Sequence, residues 1–467
     1  MKKKERLMAR GKKAVKMRRK IVITIFLAYL RLVARIQLFK IKPKVVALTG
    51  SQGKTSLRNA VFSVLSLKYR VKKSIKANSE TGIPLDLLGL YPVNYSLIEW
   101  LKLAFLAPIR LLTNWKKYDV YLVELGVDDP YPPKNMEYLL GFIKPEIAIF
   151  LNVSLVHTQQ FSKLIPSNKK FSSKKAKEEF LLAKIAREKG KMITFLDENK
   201  TAIVNQDDLW VWKMAKETRA KLISFGKNKS QKNGIRIKSA SLKPSDLATA
   251  FSFEYRKQIF QISLPFLVPD HYASTLAAAL AVGLAMKVDL TEACRALEEG
   301  FVLPPGRMTF FKGIKSSLLI DSSYNASKKP TLDALELLAK VPAKAKIVVL
   351  GDMRELGIMA EQEHRQVAEK ILKSADRIVL IGSLTKKHVL PIIEGKKPVK
   401  WFENSWQAAK YLKKHLKKNS VVLIKGSQNK IFTEIITQAL LKNKKDRKKL
   451  CRRGSYWEKQ RANLIDL

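Results

Sequence analysis

Residues 49–56 read Thr-Gly-Ser-Gln-Gly-Lys-Thr-Ser, two glycines followed by a lysine and two hydroxyls. Gly50 and Gly53 let the backbone turn its N–H groups inward, where a following helix N-terminus favours anions. Lys54 can then reach the β- and γ-phosphates of a nucleotide, and the Thr55 hydroxyl can ligand Mg²⁺. Gly50, Ser51, Gly53, Lys54, Thr55 and Ser56 are therefore the candidate nucleotide-binding set. The common phosphate loop, G-x-x-x-x-G-K-[ST], would need glycine at position 48, and Leu48 stands there.

The flanking segments supply the elements such a loop requires. "KVVALTG" (44–50) reads as a buried strand and "TSLRNAVFSVLSLKY" (55–69) as the helix after it. "YDVYLVELGVD" (118–128) reads as a second strand, ending in Glu124. A carboxylate at the end of a strand beside the loop strand is well placed to hold Mg²⁺. "KPEIAIFLNVSLVHTQQF" (144–161) is a third buried strand, followed by Asn152 and His157. "LPPGRMTFF" (303–311) is a Pro/Gly hinge and a domain boundary. Beyond it, "KIVVLGDMRELG", "RIVLIG" and "VVLIKGS" alternate with helical stretches, which implies a parallel, Rossmann-like sheet. No G-x-G-x-x-G occurs in this region. The expected fold class is α/β, a phosphate-loop central domain with a mostly parallel sheet plus a C-terminal Rossmann-like domain.

Composition narrows the setting. The 467 residues are too many for one core, and 46% of them are hydrophobic, which excludes a disordered chain. Cys294 and Cys451 lie far apart, with neither metal nor redox spacing, and suit a reducing cytoplasm. The net charge is +49. Residues 1–20 carry eleven Lys/Arg against one acid, and residues 442–461 carry ten against two. Such a field favours an anionic partner, either a membrane surface or nucleotide substrates. Nothing along the chain reads as a nucleic-acid module, and none is expected.

The shortened loop T-G-x-x-G-K-T resembles that of the Mur ligases, the enzymes that build the peptide of bacterial cell walls. The resemblance runs over about residues 43–440, in the order of motifs. "NSETGIPLDLLGL" (78–90) matches an Asn-rich segment with Asn78, Gly82 and Pro84 in place, and Glu124 matches the family's metal-binding Glu. His157 matches a histidine that helps bind a second Mg²⁺. Within "KKAKEEFLLAKI" (174–185), Lys177 falls in an Ala-Lys setting. The resemblance implies that this lysine adds CO₂ and ligands Mg²⁺ as a carbamate. His271 matches a histidine near the nucleotide, although Asp270 and Thr275 replace the expected Gly and Asn. Arg307 matches an arginine that reaches the γ-phosphate. In "LLIDSSYNASKKP" (318–330), Asp321 matches a ribose-binding Asp, with Ser322 and Ser327 departing from the pattern. The stretch 346–357 and "VVLIKGSQNKIFTEII" are closest to the tripeptide-adding MurF branch.

The resemblance implies an ATP-dependent ligase using Mg²⁺ in cell-wall precursor synthesis. Catalysis would involve Lys54, Lys177, Arg307 and His157. His271 and Asp321 would join the loop in binding nucleotide, and Thr55, Glu124, His157 and Lys177 would hold metal. A substrate carboxylate would become an acyl phosphate and couple to an amino acid or D-Ala-D-Ala. Another acceptor (a lipid-linked muropeptide, a folate or a poly-amino-acid) and a catalytically weak nucleotide-binding scaffold are the competing readings. The expected divisions are a basic N-terminal segment (1–42), a central ATP-binding domain (43–304), a C-terminal domain (305–440) and a basic C-terminal tail (441–467). MurF enzymes carry an N-terminal UDP-sugar domain, and the residues before the loop strand are too few to form one. "IVITIFLAYL" (21–30) is shorter than the about 20 apolar residues that span a bilayer. Continued through Leu38, it reads as an amphipathic interfacial helix. The insertion "YSLIEWLKLAFLAPIRLLTNW" (95–115) is apolar and aromatic; it reads either as an ordinary core helix, packing with 21–39 in place of the missing domain, or as a surface-seeking element paired with 21–39. The expected location is cytoplasmic, with peripheral contact at the inner face of an anionic plasma membrane.

Overall fold

Val45–Thr49 are all buried, as befits a strand covered on both faces, and with Lys44 they form β1 (Lys44–Thr49). The computed structural model describes residues 2–75, 77–155, 158–228, 233–243, 245–354, 356–427 and 430–462; the side chains of 2–20, 158, 159 and 358 lie outside that description. Before β1 runs α1 (Lys2–Ile41). After it come α2 (Lys54–Leu65), β2 (Val71–Lys73), α3 (Gly82–Leu88), α4 (Leu97–Thr113), β3 (Val120–Glu124), α5 (Met136–Leu140) and β4 (Ile147–Phe150). Next are α6 (Thr158–Phe161), α7 (Lys174–Thr194), β5 (Thr201–Asn205), α8 (Leu209–Ala215) and β6 (Lys221–Gly226). A meander of β7 (Ile235–Lys243), β8 (Ala248–Tyr255) and β9 (Gln258–Leu264) leads to α9 (Tyr272–Ala285) and α10 (Leu290–Gly300).

These strands make one sheet in the order β2-β3-β1-β4-β5-β6-β7-β8-β9. It is parallel from β2 through β7, then antiparallel across the meander. Strand order reverses at β1, so a crevice opens at its carboxyl end, where α/β sheets bind ligands. One face is closed by α2, α9 and α10, through Leu57, Val61, Leu276 and Leu297 among others. On the opposite face α5, α7 and α8 close the core with Met136, Ile185 and Val211.

A turn at Pro304–Arg307 begins the second domain; Gly306 sits at φ +71°, where a Cβ would meet Cys451 and the backbone of Tyr324. The elements are β10 (Thr309–Lys312), β11 (Leu318–Ser322), α11 (Lys328–Lys340), β12 (Ala345–Gly351), α12 (Ala360–Ser374) and β13 (Arg377–Ile381). They continue through α13 (Ser383–His388), α14 (Leu390–Ile393), β14 (Val399–Phe402), α15 (Ser405–His415), β15 (Ser420–Lys425), α16 (Glu434–Leu440) and α17 (Ser455–Ala462). Its sheet runs β10-β11-β15-β12-β13-β14, parallel except for edge strand β10. The mixed α/β class and the two sheets agree with the sequence expectation.

Two expectations change. The basic C-terminal tail, set apart from residue 441 in the sequence, packs on the second domain through residue 462. Leu441 and Leu450 join the core, and Arg452 meets Glu434 at 2.6 Å with both side chains buried. At the other end, the apolar character of α1 outlasts the run 21–30. Ile21–Ile41 together is long and apolar enough to cross a membrane by length and composition, because Arg31 and Arg35 interrupt it without ending it.

Candidate active site at the domain junction

The loop between β1 and α2 is built on glycine. Gly53 has φ +80°, and a Cβ there would lie 3.0 Å from Leu151. Asn152, just beyond β4, clamps the turn: its Oδ1 accepts from Gln52 N–H at 2.9 Å and its Nδ2 donates to Gln52 O at 3.1 Å. Ser51 N–H donates to Asn152 O, and Ser154 N–H donates to Ser51 Oγ at 2.9 Å. Ser56 begins the buried face of α2 and its hydroxyl faces Tyr272 OH at 3.4 Å, so it supports the helix from within.

Glu124, buried at the end of β3, accepts from Thr55 Oγ1 at 3.3 Å and pairs with Arg58 Nη1 at 2.9 Å. A hydroxyl and a carboxylate converging beside a phosphate loop match the donor chemistry of Mg²⁺, which takes one or two protein oxygens and completes its shell with phosphate and water. Among the described residues no cluster of three or more His, Cys, Asp or Glu could hold a metal on its own. His157 lies outside the described residues.

Cations crowd the same space. Lys54 Nζ donates to Gly50 O at 2.6 Å; burial lowers its pKa, Asp128 and Glu124 oppose that, and Arg307 adds to it. Arg307 comes from the second domain, with its guanidinium 4.5 Å from the Tyr324 ring centroid. It also acts on Lys425, at the end of β15, whose amine donates to Ser322 O and Asn325 O. Burial, with Arg307 beside it, pushes Lys425 down to about 7. Ammonium and guanidinium groups gathered from two domains at the mouth of an anion-binding loop are suited to a polyphosphate.

A second lysine of α7, Lys189, also reaches this cluster. Lys189 is buried, donates to Val127 O at 3.0 Å, and is pushed down to about 7 by burial and by Lys54, against Asp128 and Glu188. Lys177 lies twelve residues earlier in α7, about 18 Å along the axis. Among the described residues its side chain has no hydrogen bond or ion pair. The sequence carried a signal for Lys189: it lies on the stripe of Leu181, Ile185, Met192 and Ile193 that α7 buries.

Asp321 and His271 are each held by partners from distant parts of the chain. Asp321 is wholly buried in β11, where it accepts from Thr437 Oγ1 at 3.0 Å, and burial raises it to about 6. It faces the docked C-terminal segment, so a ribose cannot reach it in this arrangement. The His271 ring is half exposed and meets Asp333 of α11 at 2.8 Å. Together with Gln52 Nε2, which donates to Ser327 Oγ at 3.3 Å, it ties the domains at the loop. Lys189, Lys425 and Arg58 are site residues that the sequence reading did not single out.

Comparison with known proteins follows these lines. The Mur ligase middle domain matches residues 181–283, and the Mur ligase glutamate ligase domain matches residues 306–428. The UDP-N-acetylmuramoyl-tripeptide–D-alanyl-D-alanine ligase of Escherichia coli (strain K12) is 26% identical over 411 residues, 86% of this chain and 78% of that protein. Among solved structures, the MurF ligase of Thermotoga maritima in complex with ADP superposes with a TM-score of 0.67 at 21% identity, covering 94% of this chain and 84% of that one. Escherichia coli FolC in complex with DHPP and ADP gives 0.57 at 16% identity, covering 88% and 91%. Both likenesses are of fold.

Proposed function

Because the chain carries the middle and C-terminal domains of the Mur ligases, we propose that it is an ATP-dependent amide ligase of cell-wall precursor synthesis. Its acid substrate is a muramoyl tripeptide, nucleotide-linked as the relatives' names specify, and its amine is D-Ala-D-Ala. The carboxylate of the tripeptide attacks the γ-phosphorus of ATP, and ADP departs. The resulting acyl phosphate is attacked by the dipeptide amine, which loses a proton as the amide forms and phosphate leaves.

The observation that carries this reading is the approach of Arg307 from the second domain to Lys54 of the loop, where Gln52 Nε2 also donates to Ser327 Oγ. Loop N–H groups and Lys54 hold the β/γ oxygens. Arg307 closes from the other side, where charge builds on the transferred group. Thr55 and Glu124 would hold Mg²⁺, which supplies charge neutralisation at those oxygens. Lys177, in the Ala-Lys setting at the start of α7, would add CO₂ and join Thr55 and Glu124 as a carbamate ligand of Mg²⁺. ATP as a substrate and two buried, unpaired cysteines suit the cytoplasm.

Phosphate release with ATP and Mg²⁺ tests the reading when acid and amine are supplied singly and together. A ligase releases phosphate in step with amide only when both are present. Equal release with neither substrate would reduce the protein to a nucleotide hydrolase.

A further inference from the structure

Helices α1 and α4 bury one apolar side against each other and leave another in water. Leu30, Val33, Leu85, Leu103 and Ala107 form a small core between α1, α3 and α4, separate from the sheet cores. Phe26 packs edge-on against Trp100 at 5.8 Å, Tyr29 OH donates to Ala104 O, and Gln37 Nε2 donates to Asn114 O. These pairs rise together in sequence, so the helices lie side by side and run the same way.

Their outward faces are the reverse of an ordinary surface helix. On α4, Leu97, Ile98, Leu101, Phe105 and Leu112 follow helical spacing and are exposed, Ile98 by 79% and Phe105 by 72%. On α1, Ile25, Leu32, Ile36 and Phe39 are exposed along one side, and Ile21, Val22 and Ile23 are exposed at the start of the apolar stretch. Chains that remain free in water rarely leave so much contiguous apolar surface.

Charge selects the occupant. Residues 2–20, which open α1, hold eleven Lys/Arg. Tyr95, just before α4, lies 5.3 Å from Tyr456 of α17, which brings the C-terminal basic segment alongside. Lys444, Lys445, Lys448 and Lys449 are exposed there. Apolar side chains framed by cations from both ends of the chain match an anionic bilayer, with acyl chains under a negative headgroup layer. A second copy of a chain at +49 would meet the same charge and be repelled. A spanning α1 would have to give up its hold on the domain, where Arg31 lies 4.7 Å from the Tyr138 ring centroid and Arg35 Nε donates to Gly141 O at 3.0 Å.

We propose that the outer faces of α1 and α4 dock this protein on the surface of an anionic lipid bilayer, with their exposed apolar side chains inserted at headgroup depth. The docking needs neither nucleotide nor peptide substrate, so it stands or falls apart from the ligase reading. The full chain is sedimented with vesicles of phosphatidylcholine alone or mixed with phosphatidylglycerol, at low and high salt. The expected result is binding to the mixed vesicles only, weakened but retained at high salt because insertion is not screened. The Leu101→Glu, Phe105→Glu double variant changes two exposed positions, so it should keep the wild-type fold by circular dichroism while losing at least tenfold in vesicle affinity. Absence of binding to mixed vesicles at low salt would overturn the proposal, as would equal binding by the double variant. So would an oligomer that the double variant dissolves without any loss of vesicle binding, or resistance of the bound protein to alkaline carbonate extraction, the mark of a span.

Discussion

Lys54 is the residue on which most of the chemistry converges, and its removal should separate function from fold. Lys54→Ala should lower amide formation by on the order of 10²–10³-fold, as loss of a group aimed at transition-state charge does. Far-UV circular dichroism should not change, and steady-state kinetics reads the loss. The two candidate lysines of α7 separate as sharply. Lys177→Ala should abolish activity, and a short-chain carboxylic acid should restore part of it by standing in for the carbamate. Lys189→Ala, which removes a buried amine beside Lys54, should lower turnover without rescue by the acid. Lys189 also leaves a signature in stability. Its folded pKa is about 7, against about 10.4 for an unfolded lysine. Between those values the unfolded chain binds more protons, so stability rises with pH from about 7 to about 10. Lys425 contributes in the same window. Urea unfolding at a series of pH values should show a rise that flattens in Lys189→Met. The loop and Glu124 were legible in the sequence because each is set by a few adjacent residues. Lys189 was not singled out because the Ala-Lys match at 176–177 drew the reading to the start of α7. Amphipathic spacing, which marks the buried stripe, points to Lys189.

Elements add what motifs cannot show. The motif around Asp321 was recognised from its neighbours, yet whether Asp321 meets solvent depends on α16 and the segment after it, more than a hundred residues later. That segment is anchored by Arg452, which pairs with Glu434 and donates to Ser323 O and Tyr324 O. Arg452→Ala would leave buried Glu434 with only Arg461, 3.4 Å away, and free two carbonyls, and should cost up to about 3–5 kcal/mol in the second domain. Denaturant unfolding should register the loss as a lower midpoint. An unchanged midpoint would mean the segment adds nothing to that domain. Helix α4 was legible as an apolar insertion able to pair with 21–39, and it does pair with α1. Which side it would still leave exposed depends on α3 and on the direction of α1, and neither is encoded within 95–115.

At the scale of the whole molecule, two sheets with different duties meet at one crevice. The first domain presents the phosphate loop at the switch in its strand order. The second brings Arg307 and Lys425, and Gln52–Ser327 and His271–Asp333 contacts join the domains at that point. Sequence order gave both domains and their hinge, because a Pro/Gly turn and alternating strands and helices are local signals. It did not give the contacts across the hinge, which require both sheets to be formed and docked. The central claim is that a carboxylate placed in this crevice takes the γ-phosphoryl group of ATP before the amine arrives. Transfer of isotope tests it most directly. The tripeptide acid is labelled with ¹⁸O in its reacting carboxylate and incubated with ATP, Mg²⁺ and D-Ala-D-Ala, and the released phosphate is analysed by mass spectrometry. The account predicts one carboxylate oxygen carried into each phosphate released; unlabelled phosphate accompanying labelled amide would contradict it.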